Sequence, residues 1–354
     1  MTESLVYGLT LVIGAGACQG SFMLPTKWIK GWVWENYWLI FASTAYLACP
    51  WILALVTIPQ LFAVYTGVGP GSLLSVGIFG TGWGLGALTF GLAVDGLGLA
   101  LGFAVILGVA ATAGTVVPLL VQPPEGFSSV QGALTAVSLA VMVAGVAVCS
   151  FAGRWKEAGG TTRRSYRGGL ALAVASGLLS SCGNLGFAFG TEITRRAEQL
   201  GAAQSLAPNA LWTLLTLPLF LCNAGYALFL LRKRGSSSNF SGKGAVRNYA
   251  LGAAMGILWM AGFALYGAGA RALGNLGPSL GWAILMSVMV LAGNISGLLT
   301  HEWDVAPQRS KRQLALGVLL LLVAIAGLGY TNRMPSERGH SGLLSAPHDA
   351  IRSR

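Results

Sequence analysis

The chain has 354 residues, of which 54% are hydrophobic and only 9% are charged, against about 25% charged in an ordinary soluble domain. Apolar runs follow one another along it, each close to the ~20 residues of helix that cross a ~30 Å hydrocarbon core. That pattern excludes a water-soluble fold. The net charge of +11 is divided among short clusters between the runs, so its explanation is membrane topology, and no nucleic-acid partner is expected.

The first run, from Leu5 to Leu24, is preceded by Glu3 alone and continues into Pro25 and Lys27 with no Ala-x-Ala motif. It lacks the basic start and the cleavage site of a signal peptide, and is expected to be a retained span. Ten helical spans are expected at 4–24, 37–58, 71–93, 98–121, 130–151, 168–190, 208–231, 248–270, 277–300 and 313–330. Val94-Asp95-Gly96-Leu97 separates the third from the fourth as a tight hairpin, and Pro118 and Pro218 are expected to kink the fourth and seventh. The polar stretch 332–354 is expected to be a disordered tail. Cys18, Cys49, Cys149, Cys182 and Cys222 all lie within apolar runs without CxxC spacing. They read as small buried hydrophobes rather than disulfides or metal ligands.

Basic residues set the orientation. Loops after odd-numbered spans carry Lys27, Lys30, Arg154, Lys156, Arg163, Arg164, Arg167, Arg232, Lys233, Arg234, Lys243, Arg247, Arg309, Lys311 and Arg312. The other loops and the tail carry Arg195, Arg196, Arg271, Arg333, Arg338, Arg352 and Arg354. The fifteen-to-seven excess places the odd-numbered loops in the cytoplasm of an inner-membrane protein and both termini outside.

A shift of 176 residues superimposes Gly80, Trp83, Gly86, Phe90, Gly91, Leu97 and Gly98 on Gly256, Trp259, Gly262, Tyr266, Gly267, Leu273 and Gly274. The shift carries the third span onto the eighth, and an odd number of spans reverses the direction of crossing. Two inverted five-helix repeats are therefore expected, 1–153 and 168–331, joined by a basic linker at 154–167. Such repeats are a common transporter architecture, with the substrate held near midplane between them.

Several motifs give the chain a family likeness. Pro25-Thr-Lys27-Trp-Ile-Lys30-Gly-Trp32-Val-Trp34-Glu35 resembles the L-rhamnose–proton symporter family of the drug/metabolite transporter superfamily. So do Phe79-Gly80-Thr-Gly-Trp83-Gly, Phe90-Gly91-Leu92 with Leu97-Gly98, Asn223 with Gly225, Trp282 with Met286-Ser287, and Gly297-Leu298 with Glu302-Trp303. The chain departs from the family at the start of the ninth span, where Asn275-Leu-Gly277-Pro278-Ser279 replaces a polar and acidic stretch. The resemblance implies a sugar substrate, L-rhamnose or a related deoxysugar, and a coupled proton. It also makes Glu35 and Glu302 the proton-coupling candidates, although no carboxylate lies near the middle of a span and an interfacial ion pair is their plainer role.

Polar side chains in hydrocarbon usually face a bundle interior or a cavity. Gln19, Asn184, Asn223 and Asn294 are the intramembrane amides. An amide both donates and accepts, which suits sugar hydroxyls; the plainer alternative is a clasp between helices. Gln19 and Asn184 stand out because they occupy the first spans of the two halves, whereas Asn294 is assigned to packing. Trp83, Trp259, Tyr266 and Trp282 would supply apolar walls for a sugar's C–H faces, or else ordinary packing. Trp32, Trp34 and Trp38 read as an interfacial belt. Gly82-x-x-x-Gly86 and Gly98-x-x-x-Gly102 are sites of close helix approach. Gly82-Trp-Gly84-Leu-Gly-Ala87 matches a dinucleotide motif but lies inside a span, so no cofactor is expected. The leading reading is a sugar transporter of the bilayer. A drug or metabolite exporter of the same fold is the alternative, and a membrane enzyme acting on lipid-linked sugars is remote.

Overall fold

The structure is a computed structural model that describes residues 2–97, 99–121, 130–156, 166–300, 304 and 306–331. Its α-helices are α1 (Thr2–Ser21), α2 (Trp34–Ala42), α3 (Cys49–Thr57), α4 (Leu61–Thr66), α5 (Pro70–Leu97), α6 (Leu99–Val121) and α7 (Val130–Lys156). They continue as α8 (Tyr166–Phe189), α9 (Thr191–Gln199), α10 (Pro208–Arg234), α11 (Ala245–Ala272), α12 (Trp282–Leu299) and α13 (Gln308–Thr331). A π turn at Ser43–Ala48 joins α2 and α3 into one crossing, and another at Gly277–Gly281 leads into α12.

Among the described residues nine segments are long and apolar enough to cross a membrane, and α6, with its apolar part Val105–Val121, makes ten. The protein is an all-α polytopic membrane protein. Its outer surface is apolar: Val246 is 83% exposed, Val56 79% and Leu299 76%. Water would not tolerate such faces, while lipid matches them.

Helix ends follow local chemistry. Pro208 begins α10, where the missing N–H would have had no partner anyway. Arg232, Lys233 and Arg234 fill its last turn, and Gly235 ends it in the left-handed conformation at φ +65°. The expected hairpin at Val94–Leu97 is helical instead, because α5 runs through to Leu97. With no proline there, intrahelical hydrogen bonds satisfy the backbone best. α6 and α10 pass Pro118 and Pro218 without a break. The linker residues 157–165, Gly98, Glu302, Trp303 and the tail from 332 lie outside the described residues.

Loops segregate to two ends. At the odd-loop end, Lys27 donates to Thr300, Asn248 donates to Lys30 O at 2.8 Å, and Trp32 Nε1 donates to Asn239 O at 3.0 Å. At the even-loop end, Ser4 Oγ donates to Ala272 O at 3.0 Å, Ser72 donates to Glu192, and Arg271 pairs with Glu198. The two clusters agree with ten alternating crossings.

Close helix contacts repeat with the halves exchanged. A Cβ on Gly86 would lie 2.6 Å from Ser180 N on α8, and one on Gly262 would lie 3.1 Å from Ala15 O on α1. Gly80 meets Leu215 of α10 just as Gly256 meets Thr44 in the second crossing. Gly145 abuts Leu321, and Gly317 abuts Cys149. Each contact is the image of its partner, as a two-fold relation between inverted halves requires. Cys182 Sγ likewise lies 2.8 Å from where Gly82 would carry a Cβ, so the Gly82–Gly86 stretch is a seam of close approach.

Candidate membrane transport site

The 28-residue helices α5 and α11 place Trp83 and Trp259 at their midpoints. The two indoles meet with ring centroids 5.5 Å apart and planes at 31°. Because they are the repeat-related pair, the pseudo-two-fold axis passes between them. Both are buried, at 8% and 6% exposure. Gly183 gives Trp83 room, since a Cβ there would lie 2.6 Å from the indole.

Two aromatic stacks flank this pair. Phe22 stacks on Phe41 in the N-terminal half at 5.4 Å and 25°. Phe187 stacks on Trp212 in the C-terminal half at 5.1 Å and 9°. Phe263 bridges the second stack to the centre, 5.1 Å from Trp83, 4.3 Å from Trp259 and 5.2 Å from Trp212, while Phe41 of the first lies 6.5 Å from Trp259. Tyr46, carried on the π turn, sets its ring 4.7 Å from Trp259. π turns recur at functional sites because they displace a side chain out of helical register.

The amides divide between two places. Gln19 Nε2 donates to Trp259 O at 2.8 Å, beside the central indoles. Asn184 Nδ2 donates to Gly114 O at 2.7 Å and to Pro278 O at 2.8 Å, and its Oδ1 accepts from Tyr266. Tyr266 OH also lies 3.1 Å from Pro278 O. That node ties α6, α8, α11 and the π turn before α12 together toward the even-loop end. Trp282 packs 5.7 Å from Tyr266 and donates to Ala110 O at 3.3 Å. Gln19 and Asn184 are thus in contact with the same aromatic column, though not with each other.

Asn223 lies apart from the centre. Its Oδ1 accepts from Trp38 Nε1 at 3.1 Å, and its Nδ2 donates to Leu219 O at 2.9 Å. Trp38 therefore turns inward and packs on Phe41 at 4.7 Å, rather than serving only an interfacial belt. Trp34 stacks on it at 5.1 Å. Asn294 donates to Val290 O within its own helix, at 2.8 Å.

Glu35 is fully buried at the start of α2. Arg234 Nη1 lies 3.0 Å from its Oε2, and Ser236 Oγ donates to Oε1 at 2.9 Å. Arg234 is itself 57% exposed, so the pair links a buried carboxylate to the odd-loop surface. Glu302 lies outside the described residues. Among the described residues no cluster of three His, Cys, Asp or Glu could hold a metal.

Sequence reasoning missed Phe41, Tyr46, Phe187, Trp212 and Phe263. Each is an ordinary apolar residue in its own run, and only the fold brings them to one column.

A ten-span bundle whose close helix contacts repeat between inverted halves, with buried aromatic rings at its centre, is the architecture of a transporter of small solutes. The chain belongs to the L-rhamnose-proton symport protein (RhaT) family, whose profile matches residues 1–332. It is 30% identical over 345 residues to an L-rhamnose-proton symporter of Mannheimia succiniciproducens, covering 94% of this chain and 100% of that one. It is 28% identical to L-rhamnose-proton symporters of Cronobacter sakazakii, over 349 residues, and of an Enterobacter species, over 352 residues. Each alignment covers 93% of this chain and 99% of the relative.

Proposed function

We propose that the protein is an inner-membrane symporter that carries L-rhamnose, or a closely related deoxysugar, together with protons. Transport proceeds by alternating access of two halves, 1–153 and 168–331, about the 154–167 linker, with both termini and the 332–354 tail outside. The observation that carries this reading is the Trp83–Trp259 pair, which sits at mid-helix on the axis relating the halves. An axial site is the one place both halves reach equally, so rocking one against the other exposes it first to one side and then to the other.

In this reading the indoles of Trp83 and Trp259 cover the C–H and methyl face of the sugar, and Gln19 and Asn184 exchange their present partners for hydroxyls. Tyr266 and Trp282 wall the even-loop side, and Asn223 positions Trp38 behind Phe41. Glu35 and Glu302 carry the proton, and Glu35 stands where the second crossing meets the odd-loop surface. Neutralising Glu35 would release Arg234 from α2 and loosen α10 from the second crossing. Export of a drug or metabolite is the weaker reading, because the family's named members take a sugar with a proton. Chemistry on lipid-linked sugars is weaker still.

The test is uptake of labelled L-rhamnose and other sugars into proteoliposomes, with and without an inward proton gradient. Accumulation of L-rhamnose above its external level, abolished when the gradient is collapsed, is expected. Equilibration unaffected by the gradient would remove proton coupling, and no uptake of any sugar would remove the substrate class. Single cysteines at Lys233 and Ser341 should label from the cytoplasm and from outside respectively, and the reverse would overturn the orientation.

A further inference from the structure

Trp212 is fully buried, and its indole N–H has no hydrogen-bond partner among the described residues. A buried donor left unpaired carries a standing cost, so it usually has a reason to be there. Packing does not supply the reason. Phe41 holds the equivalent place in the other half and stacks on Phe22 much as Trp212 stacks on Phe187. Both positions are offset by 171 residues, the same shift that relates the contact of Gly256 with Thr44 to that of Gly80 with Leu215. A phenyl ring therefore fills this role where no donor is present. The N–H edge faces the seam between α10 and α11, where a Cβ on Gly267 would lie 3.0 Å from Nε1 and 2.8 Å from Pro208 Cβ. Glycine leaves that edge uncovered by any side chain of its own.

We propose that Trp212 is a specificity-determining residue, whose indole N–H donates to one hydroxyl of the bound sugar when α10 and α11 part. The inference rests on the sugar-transport reading above and names a group that breaks the two-fold equivalence of the site. A neutral sugar has no two-fold symmetry, so a donor present at Trp212 and absent at its counterpart Phe41 gives the site a single preferred orientation for it. Trp has only the one donor and accepts nothing, so it selects a position bearing an acceptor oxygen and gains nothing from a C–H. Phe41 in the opposite stack receives the apolar side of the same ligand.

The experiment is calorimetric titration of the purified full-length protein with L-rhamnose and with its monodeoxy analogues, each lacking one hydroxyl. The wild type should lose about tenfold in affinity for one analogue, about 1.4 kcal/mol. Trp212→Phe should lose about tenfold for L-rhamnose itself and show no further loss with that analogue, while melting no lower than the wild type. Replacing Trp212 by benzothienylalanine, which keeps the bicyclic shape and lacks the N–H, should do the same and guards against a packing artefact. Unchanged affinity and unchanged analogue preference in these variants would overturn the assignment while leaving sugar transport standing. Failure of the wild type to bind any sugar in the panel would overturn both.

Discussion

Phe90 and Tyr266 occupy equivalent places in the two halves, as do Phe41 and Trp212, and as do the contacts made by Gly86 and Gly262. Phe90 packs against the apolar cluster of Ala93, Ile106 and Ala173. Tyr266 packs on Phe187 and Trp282 and adds a hydroxyl that donates to Asn184 and lies 3.1 Å from Pro278 O. The halves thus repeat their packing and differ in polar groups at this position, where the C-terminal half carries a hydroxyl and amide node toward the even-loop end. Close approach of helices demands glycine at matching positions, and symmetry preserves it. Hydrogen bonding has no such obligation.

Removing Asn184 should break this difference most severely. Asn184→Leu withdraws two donors and one acceptor, and each buried group left unpaired costs roughly 1–3 kcal/mol. Gln19→Leu withdraws one donor from Trp259 O and should cost only about 0.5–1.5 kcal/mol. Thermal unfolding in detergent measures both. Tyr266→Phe, which makes the two positions chemically alike, should fall between them. Equal losses for Asn184→Leu and Gln19→Leu would erase the proposed polar asymmetry.

The packing side of the comparison predicts equality instead. Gly86→Ala and Gly262→Ala each place a Cβ against a neighbouring helix, so both should destabilise by about 1–3 kcal/mol. Gly77 has nothing within 4 Å of its Cβ position. Gly77→Ala should therefore be neutral or gain up to about 1 kcal/mol from helix propensity. If only one seam proved sensitive, the two-fold contacts would not be energetically equivalent.

The smallest effect is expected at the even-loop surface. Tyr65 on α4 donates to Ala210 O at 2.9 Å and lies 2.5 Å from Thr213 Oγ1, pinning α4 to α10. Burial pushes its hydroxyl up to about 12, opposed by the Thr213 hydrogen bond. A raised value means the folded protein holds the proton longer than the unfolded chain, so the contribution is complete below about 10 and declines between about 10 and 12. Tyr65→Phe should lower the melting temperature slightly at neutral pH and should lack the wild type's alkaline decline in that window.

Spans were legible because lipid imposes long apolar runs, and the Trp83–Trp259 pair because α5 and α11 share one offset along their length. The flanking stacks were not. Gln19 and Asn184, and likewise Phe22 and Phe187, are 165 residues apart, while Phe41 and Trp212 are 171 apart. Loops of different length reset the offset between crossings, so no single shift displays the column. Phe41 and Trp212 also differ in identity. Asn223 was legible as an intramembrane amide, but its role in turning Trp38 inward depends on how α10 crosses α2. The π turn at Ser43–Ala48, which positions Tyr46, contains no breaker residue of its own, and Pro50 just after it marks a disturbance of the helix without specifying its kind.

The central claim is that the site lies on the axis between the halves, and L-rhamnose binding to Trp83→Ala and Trp259→Ala measures it most directly. Titration calorimetry on monodisperse protein, with Asn294→Leu as the comparison, separates recognition from folding. Both tryptophan variants should lose affinity to a similar degree, about tenfold or more, since each removes one wall of the same apolar surface. Asn294→Leu should bind nearly as the wild type does. Normal affinity in both tryptophan variants, or loss in one alone, would contradict an axial site shared by the two halves.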